Sequence, residues 1–152
     1  MKDHAQYAKN LFLSGYNCSQ AVFMAFEDIT GLDSGTAAKL ASSFGGGMGR
    51  MREVCGTVSG ALMVLGLVCG YNDPKDGDAK KEQYHLVQDF AGRFREENGS
   101  IICRQLLAGV STIPGRDPEE RTGDYYKKRP CPDLVWCAAH ILDEMLAEKS
   151  GR

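Results

Sequence analysis

The chain contains no C-x-x-C pair, although six of its 152 residues are cysteine. That absence excludes zinc-finger spacing, the ferredoxin run and the haem-attachment motif C-x-x-C-H. No stretch alternates apolar and polar residues as a half-buried strand does, and no segment repeats. An excess of charge of one sign is also missing: 18 lysines and arginines face 20 aspartates and glutamates. The formal net charge is −2, which makes no case for a nucleic acid or an acidic membrane as partner. Met1-Lys2-Asp3-His4 lacks the apolar core of a secretion signal. With no export signal, the cysteines predict a reducing, cytoplasmic setting, where they bind metal or do redox chemistry more often than they form structural disulfides.

The size suits one domain, residues 1–152, with a core of its own. Its apolar pattern is helical nearly throughout, and the expected architecture is an all-α, compact single-domain bundle of about six helices. Ala5, Ala8, Leu11 and Phe12 mark the first helix, closed by Ser14-Gly15. Asn17 caps a second, whose stripe runs Cys18, Val22, Ala25, Phe26, Ile29 until Gly31. Asp33 or Ser34 opens a third through Leu40 and Ala41. The uncharged run from Val54 to Tyr71 approaches membrane-spanning length. It also holds Thr57, Ser59 and four glycines, and is read as a buried central helix without membrane insertion. Gly56 and Gly60, one turn apart, predict close approach of another backbone. A long helix carrying Leu86, Val87, Phe90 and Phe94 follows the turn Asp73-Pro74-Lys75-Asp76-Gly77-Asp78 and breaks at Asn98-Gly99; a short one holds Cys103. Gly109 to Pro130 is either a long loop or a loop with a short acidic helix near Pro118-Glu119-Glu120. The last helix starts at Cys131-Pro132.

Four cysteines fall at predicted helix starts: Cys18 after Asn17, Cys55 after a glycine-rich loop, Cys103 after Asn98-Gly99-Ser100, and Cys131 before Pro132. Helix starts carry unpaired N–H groups and partial positive charge, which favour a thiolate. Arg50 and Arg52 precede Cys55, and Lys127-Lys128-Arg129 precede Cys131, adding to that expectation; Arg50 is taken as the main electrostatic helper. Cys55 and Cys69 lie on one helix, about 21 Å apart along its axis, so Cys69 is read as structural. Cys137, inside the last helix, is read likewise. His4 is expected near a frayed end, and His85 and His140 at the surface. Asp117, Glu119, Glu120 and Asp124 read as a solvated loop face.

Asn17-Cys18-Ser19-Gln20-Ala21-Val22, Phe44-Gly45-Gly46-Gly47-Met48-Gly49-Arg50, Cys55-Gly56-Thr57-Val58-Ser59-Gly60, Cys103 and Cys131-Pro132 resemble, in this order, the C_GCAxxG_C_C family of redox-active proteins. Thr57 stands where the family name has alanine, and Cys69 and Cys137 are additional to its four-cysteine pattern. The resemblance implies a small helical redox protein. It is also similar to the non-haem part of split-Soret cytochromes, which is associated with an iron–sulfur cluster.

Three functions compete. In the first, Cys18, Cys55, Cys103 and Cys131 hold a 2Fe–2S or 4Fe–4S cluster for electron transfer with a redox partner protein. Gly45, Gly46, Gly47, Gly49 and Arg50 would offset its charge. In the second, Cys55 is the catalytic thiolate of thiol–disulfide exchange, resolved by Cys18, Cys103 or Cys131. In the third, the same four bind zinc in a structural module. A homodimer is compatible with each. The glycine loop also resembles an anion cradle, but lacks the Lys-Ser/Thr ending of a P-loop.

Overall fold

The computed structural model describes residues 2–151. Among them, six helices of eight or more residues form the body: α1 (His4–Leu13), α2 (Cys18–Ala25), α4 (Ser34–Ala41), α6 (Gly56–Cys69), α7 (Gly77–Asn98) and α10 (Cys131–Lys149). Between them lie single turns: α3 (Glu27–Thr30), a 3-10 turn (Ser42–Phe44), α5 (Gly45–Met48), α8 (Cys103–Leu106) and α9 (Gly123–Lys128). None is long and apolar enough to cross a membrane. The run read as a central helix is α6, fourteen residues long.

The ends follow from local chemistry. Asp3, Asp33, Asp76 and Thr122 accept backbone N–H groups at the starts of α1, α4, α7 and α9. Asn17 and Gln20 form a reciprocal capping box on α2. Left-handed Gly31 and Gly99 end α3 and α7.

α2 lies at the centre, against α1, α4, α6 and α10, and α7 closes the far side on α6 and α10. Phe12, Phe23, Phe26, Phe90, Phe94, Leu65 and Leu142 fill the core. The two glycines of α6 permit its contact with α2. A Cβ at Gly60 would stand 2.7 Å from the Ser19 carbonyl oxygen, and one at Gly56 would run into the Cys18 sulfur. Side chains of any size there would force the helices apart.

Three expectations need correction. The second helix does not run to Gly31: Phe26 leaves helical geometry at φ −102°, ψ 22°, and a separate turn, α3, follows with Ile29 exposed. At the break the Phe26 ring is buried and stacks on the His4 ring at 4.2 Å, a tertiary contact that local periodicity does not show. Pro118-Glu119-Glu120 is irregular, and the short helix of that region is α9, capped by Thr122. His4 is not frayed. It is buried, with Nδ1 2.7 Å from Asp143 and Nε2 2.9 Å from Asp28.

Candidate functional site

The glycine loop is a short left-handed turn. Gly46, Gly47, Met48, Gly49 and Arg50 all have φ between 59° and 70°, and Arg52 follows at 60°. Left-handed backbone places Cβ against the carbonyl oxygen, so glycine takes three of the five consecutive positions without that penalty. Arg50, Arg52 and Glu53 N–H groups bond back to Gly45, Gly46 and Gly47 carbonyls and close the turn. The loop is then wedged between neighbours: a Cβ on Gly45 would overlap Asn17, and one on Gly47 would lie 2.6 Å from the Cys103 Cβ.

The four cysteines do stand at helix starts. Cys18, Cys103 and Cys131 are the first residues of α2, α8 and α10, and Cys55 is the N-cap of α6. Cys55 and Cys103 are joined through backbone. Val54 and Ile102, the residues just before them, form one antiparallel bridge, with Cys55 N–H donating to Ile101 and Cys103 N–H to Glu53. No strand periodicity announces a one-residue bridge.

All four side chains line one cavity of about 50 Å³, with Gly46, Arg52, Thr57, Arg121 and Arg129 also on its wall. Cys69 and Cys137 do not line it. Two of the four sulfurs make a side-chain hydrogen-bond contact. Cys55 Sγ lies 3.1 Å from Thr57 Oγ1. Arg52 Nη1 lies 3.7 Å from Cys103 Sγ, and Arg121 and Arg129 share the cavity wall with all four cysteines. All six cysteines are free thiols. Among the described residues, no three His, Cys, Asp or Glu side chains close on a point as single-ion ligands. The sulfurs surround a space instead. Four cysteine thiols on one wall are a donor set that both iron–sulfur clusters and structural zinc use.

Helix starts do not make these thiols acidic. Burial pushes the Cys18 thiol up, against the Gly46 N–H, and pushes Cys55 far up despite Thr57. Burial pushes Cys131 up to about 12, with Arg129 opposing. Desolvation of a thiolate outweighs a few aligned N–H dipoles. The expectation of low-pKa thiolates therefore fails for these three, because sequence shows the helix start and not the depth at which it is buried.

A second pocket of about 300 Å³ adjoins the first and shares Gly46, Arg52, Arg121 and Arg129 with it. Gly45, Gly49 and Arg50 line this outer pocket and not the cysteine cavity. Arg50 donates to the Ile113 carbonyl at 2.6 Å and to Glu119 at 3.3 Å. Arg50 does not line the cysteine cavity, whereas Arg52 and Arg129 do. Glu119 is no solvated loop residue. Its side chain is 11% exposed and pairs with Arg50, Arg52 and Arg129. Burial opposes ionisation, yet Arg129 and its neighbours hold the carboxyl below its ordinary range. Arg121 was not singled out by any motif. It caps the wall by donating to the Phe12 carbonyl and lying 4.4 Å over the Phe12 ring. His140 pairs with Glu144 at the surface and stays away from the cavity.

No curated protein matches the chain, and no solved structure does. One family model matches residues 16–145, described as "Putative redox-active protein (C_GCAxxG_C_C)". That span covers the glycine loop, the outer arginines and all four cavity cysteines, and the chain therefore belongs to the C_GCAxxG_C_C family of redox-active proteins.

Proposed function

We infer that the protein holds an iron–sulfur cluster through Cys18, Cys55, Cys103 and Cys131 and serves in electron transfer with a redox partner protein. The observation that carries this reading is the convergence of four cysteines from four separate helix starts on one cavity wall, with Arg52, Arg121 and Arg129 beside them. Cationic and N–H groups around sulfur stabilise the negative charge of metal-bound thiolates. When bound, the group would supply a one-electron couple. The chain's own contribution is to hold four thiols in place, to exclude water with Phe12, Leu107 and Leu134, and to set Arg52, Arg121 and Arg129 against the negative charge. The raised thiols work against ligation, because each must lose its proton to bind metal, so uptake should strengthen as pH rises.

Thiol–disulfide exchange is less well supported. Cys55, the expected attacker, is 5% exposed and its thiol is pushed far up, whereas exchange needs an accessible thiolate.

Anaerobic reconstitution with iron and sulfide tests the proposal. Brown protein with stoichiometric iron and acid-labile sulfide is expected, and Cys55→Ser should bleach it. Colourless, iron-free wild-type protein after reconstitution would sink the reading; stoichiometric zinc in its place would establish the structural-zinc alternative.

A further inference from the structure

Five arginines, Arg50, Arg52, Arg116, Arg121 and Arg129, line the outer pocket, with Glu119 as its one carboxylate. Guanidinium groups stay charged at any pH the protein meets. Glu119 is already engaged by three of them. The wall therefore carries a formal surplus of four positive charges around about 300 Å³. Charge balance for the neighbouring cysteines explains only part of it. Arg52, Arg121 and Arg129 face both spaces, but Arg50 and Arg116 face only the outer one. Arg116 forms no ion pair among the described residues. Concentrating like charge in a concavity is unfavourable unless an anion occupies it, and the volume lies at the lower end of small-molecule sites.

We propose that this outer pocket binds a small oxyanion with two or more negative charges, held by forked guanidinium contacts beside the cysteine cavity. Phosphate and carboxylate groups each offer a pair of oxygens on one atom, which the planar guanidinium fork of arginine grips two at a time. The left-handed glycine loop shapes one wall: a Cβ on Gly46 would come 3.1 Å from the Arg50 side chain, so glycine leaves that arginine its position. The site does not require a bound cluster.

Isothermal titration calorimetry on the full chain at low salt, with pyrophosphate in one arm and succinate in the other, tests this. Saturable one-to-one binding with Kd below about 1 mM is expected for at least one of them. Pyrophosphate alone would assign the phosphate class, succinate alone the dicarboxylate class, and binding of both the shared chemistry. Arg116→Gln should weaken binding about tenfold, since it removes one charge-assisted fork. Arg95→Gln, on the exposed face of α7, should leave it unchanged. Arg50→Gln should weaken it too, with circular dichroism to confirm that the helices remain. Absence of binding by both anions to about 10 mM, or affinity that Arg116→Gln leaves intact, overturns the proposal. The heat signal needs no chromophore, so colourless wild-type protein would refute the cluster while leaving this site standing.

Discussion

Thr57 Oγ1 lies 3.1 Å from Cys55 Sγ, and Thr57 is buried at the base of the cysteine cavity. Threonine here departs from the alanine of the family's own name, and the departure puts a hydroxyl beside the sulfur. Thr57→Ala should cost about 1 kcal/mol of stability, for a lost hydrogen bond and methyl group. In reconstituted protein it should also lower the midpoint potential, because hydrogen bonds to sulfur favour the reduced, more negative state. Chemical denaturation and a redox titration read the two effects; a potential that does not move would detach Thr57 from the proposed cluster.

Serine substitution at the six cysteines should divide them four to two. Cys18→Ser, Cys55→Ser, Cys103→Ser and Cys131→Ser should each abolish or strongly diminish visible absorption after reconstitution. Cys69→Ser and Cys137→Ser should keep it, because neither side chain reaches the cavity. Iron content per chain measures the same division.

Gly60→Ala should destabilise the protein by about 1–3 kcal/mol, the usual range for overpacking a tight contact. Its new methyl group would sit 2.7 Å from the Ser19 carbonyl and 3.2 Å from the Val22 Cβ, pushing α2 off α6 and carrying Cys18 with it. Gly66→Ala, on the same helix with open space around it, should be neutral or stabilising. Thermal melts of the pair would separate steric cost from the general effect of replacing glycine.

His4 supplies a pH dependence. Burial works against its charge, but hydrogen bonds to Asp143 and Asp28 outweigh burial and hold the imidazole pKa above the ordinary 6.5. A raised pKa means that the folded state binds the proton more tightly than the unfolded one. The resulting stability is fully present below pH 6.5 and is lost as pH rises through the folded value. Wild-type protein should therefore show a higher urea midpoint at pH 6 than at pH 9 in the contribution that His4→Gln removes. His4→Gln itself should cost about 1–3 kcal/mol at pH 6, since it leaves two carboxylates without their shared cation. A wild-type and variant difference that is flat in pH would refute the assignment.

The sequence alone determined the six long helices in outline and the placement of Cys18, Cys55, Cys103 and Cys131 at helix starts, but not the break at Phe26 or the turn capped by Thr122. Those features depend on contacts within about one turn: the Asn17–Gln20 box, left-handed Gly31 and Gly99, the proline after Cys131. The close approach allowed by Gly56 and Gly60 was legible for the same reason. Only the tertiary structure decided what the sulfurs face. Arg52 reaches Cys103 across 51 positions, Arg50 turns away to a glutamate 69 positions on, and His4 is locked to an aspartate 139 positions away. Burial likewise reversed the expected acidity of three thiols, because a helix start acts over a few ångströms of known backbone, whereas desolvation depends on everything the rest of the chain packs around it.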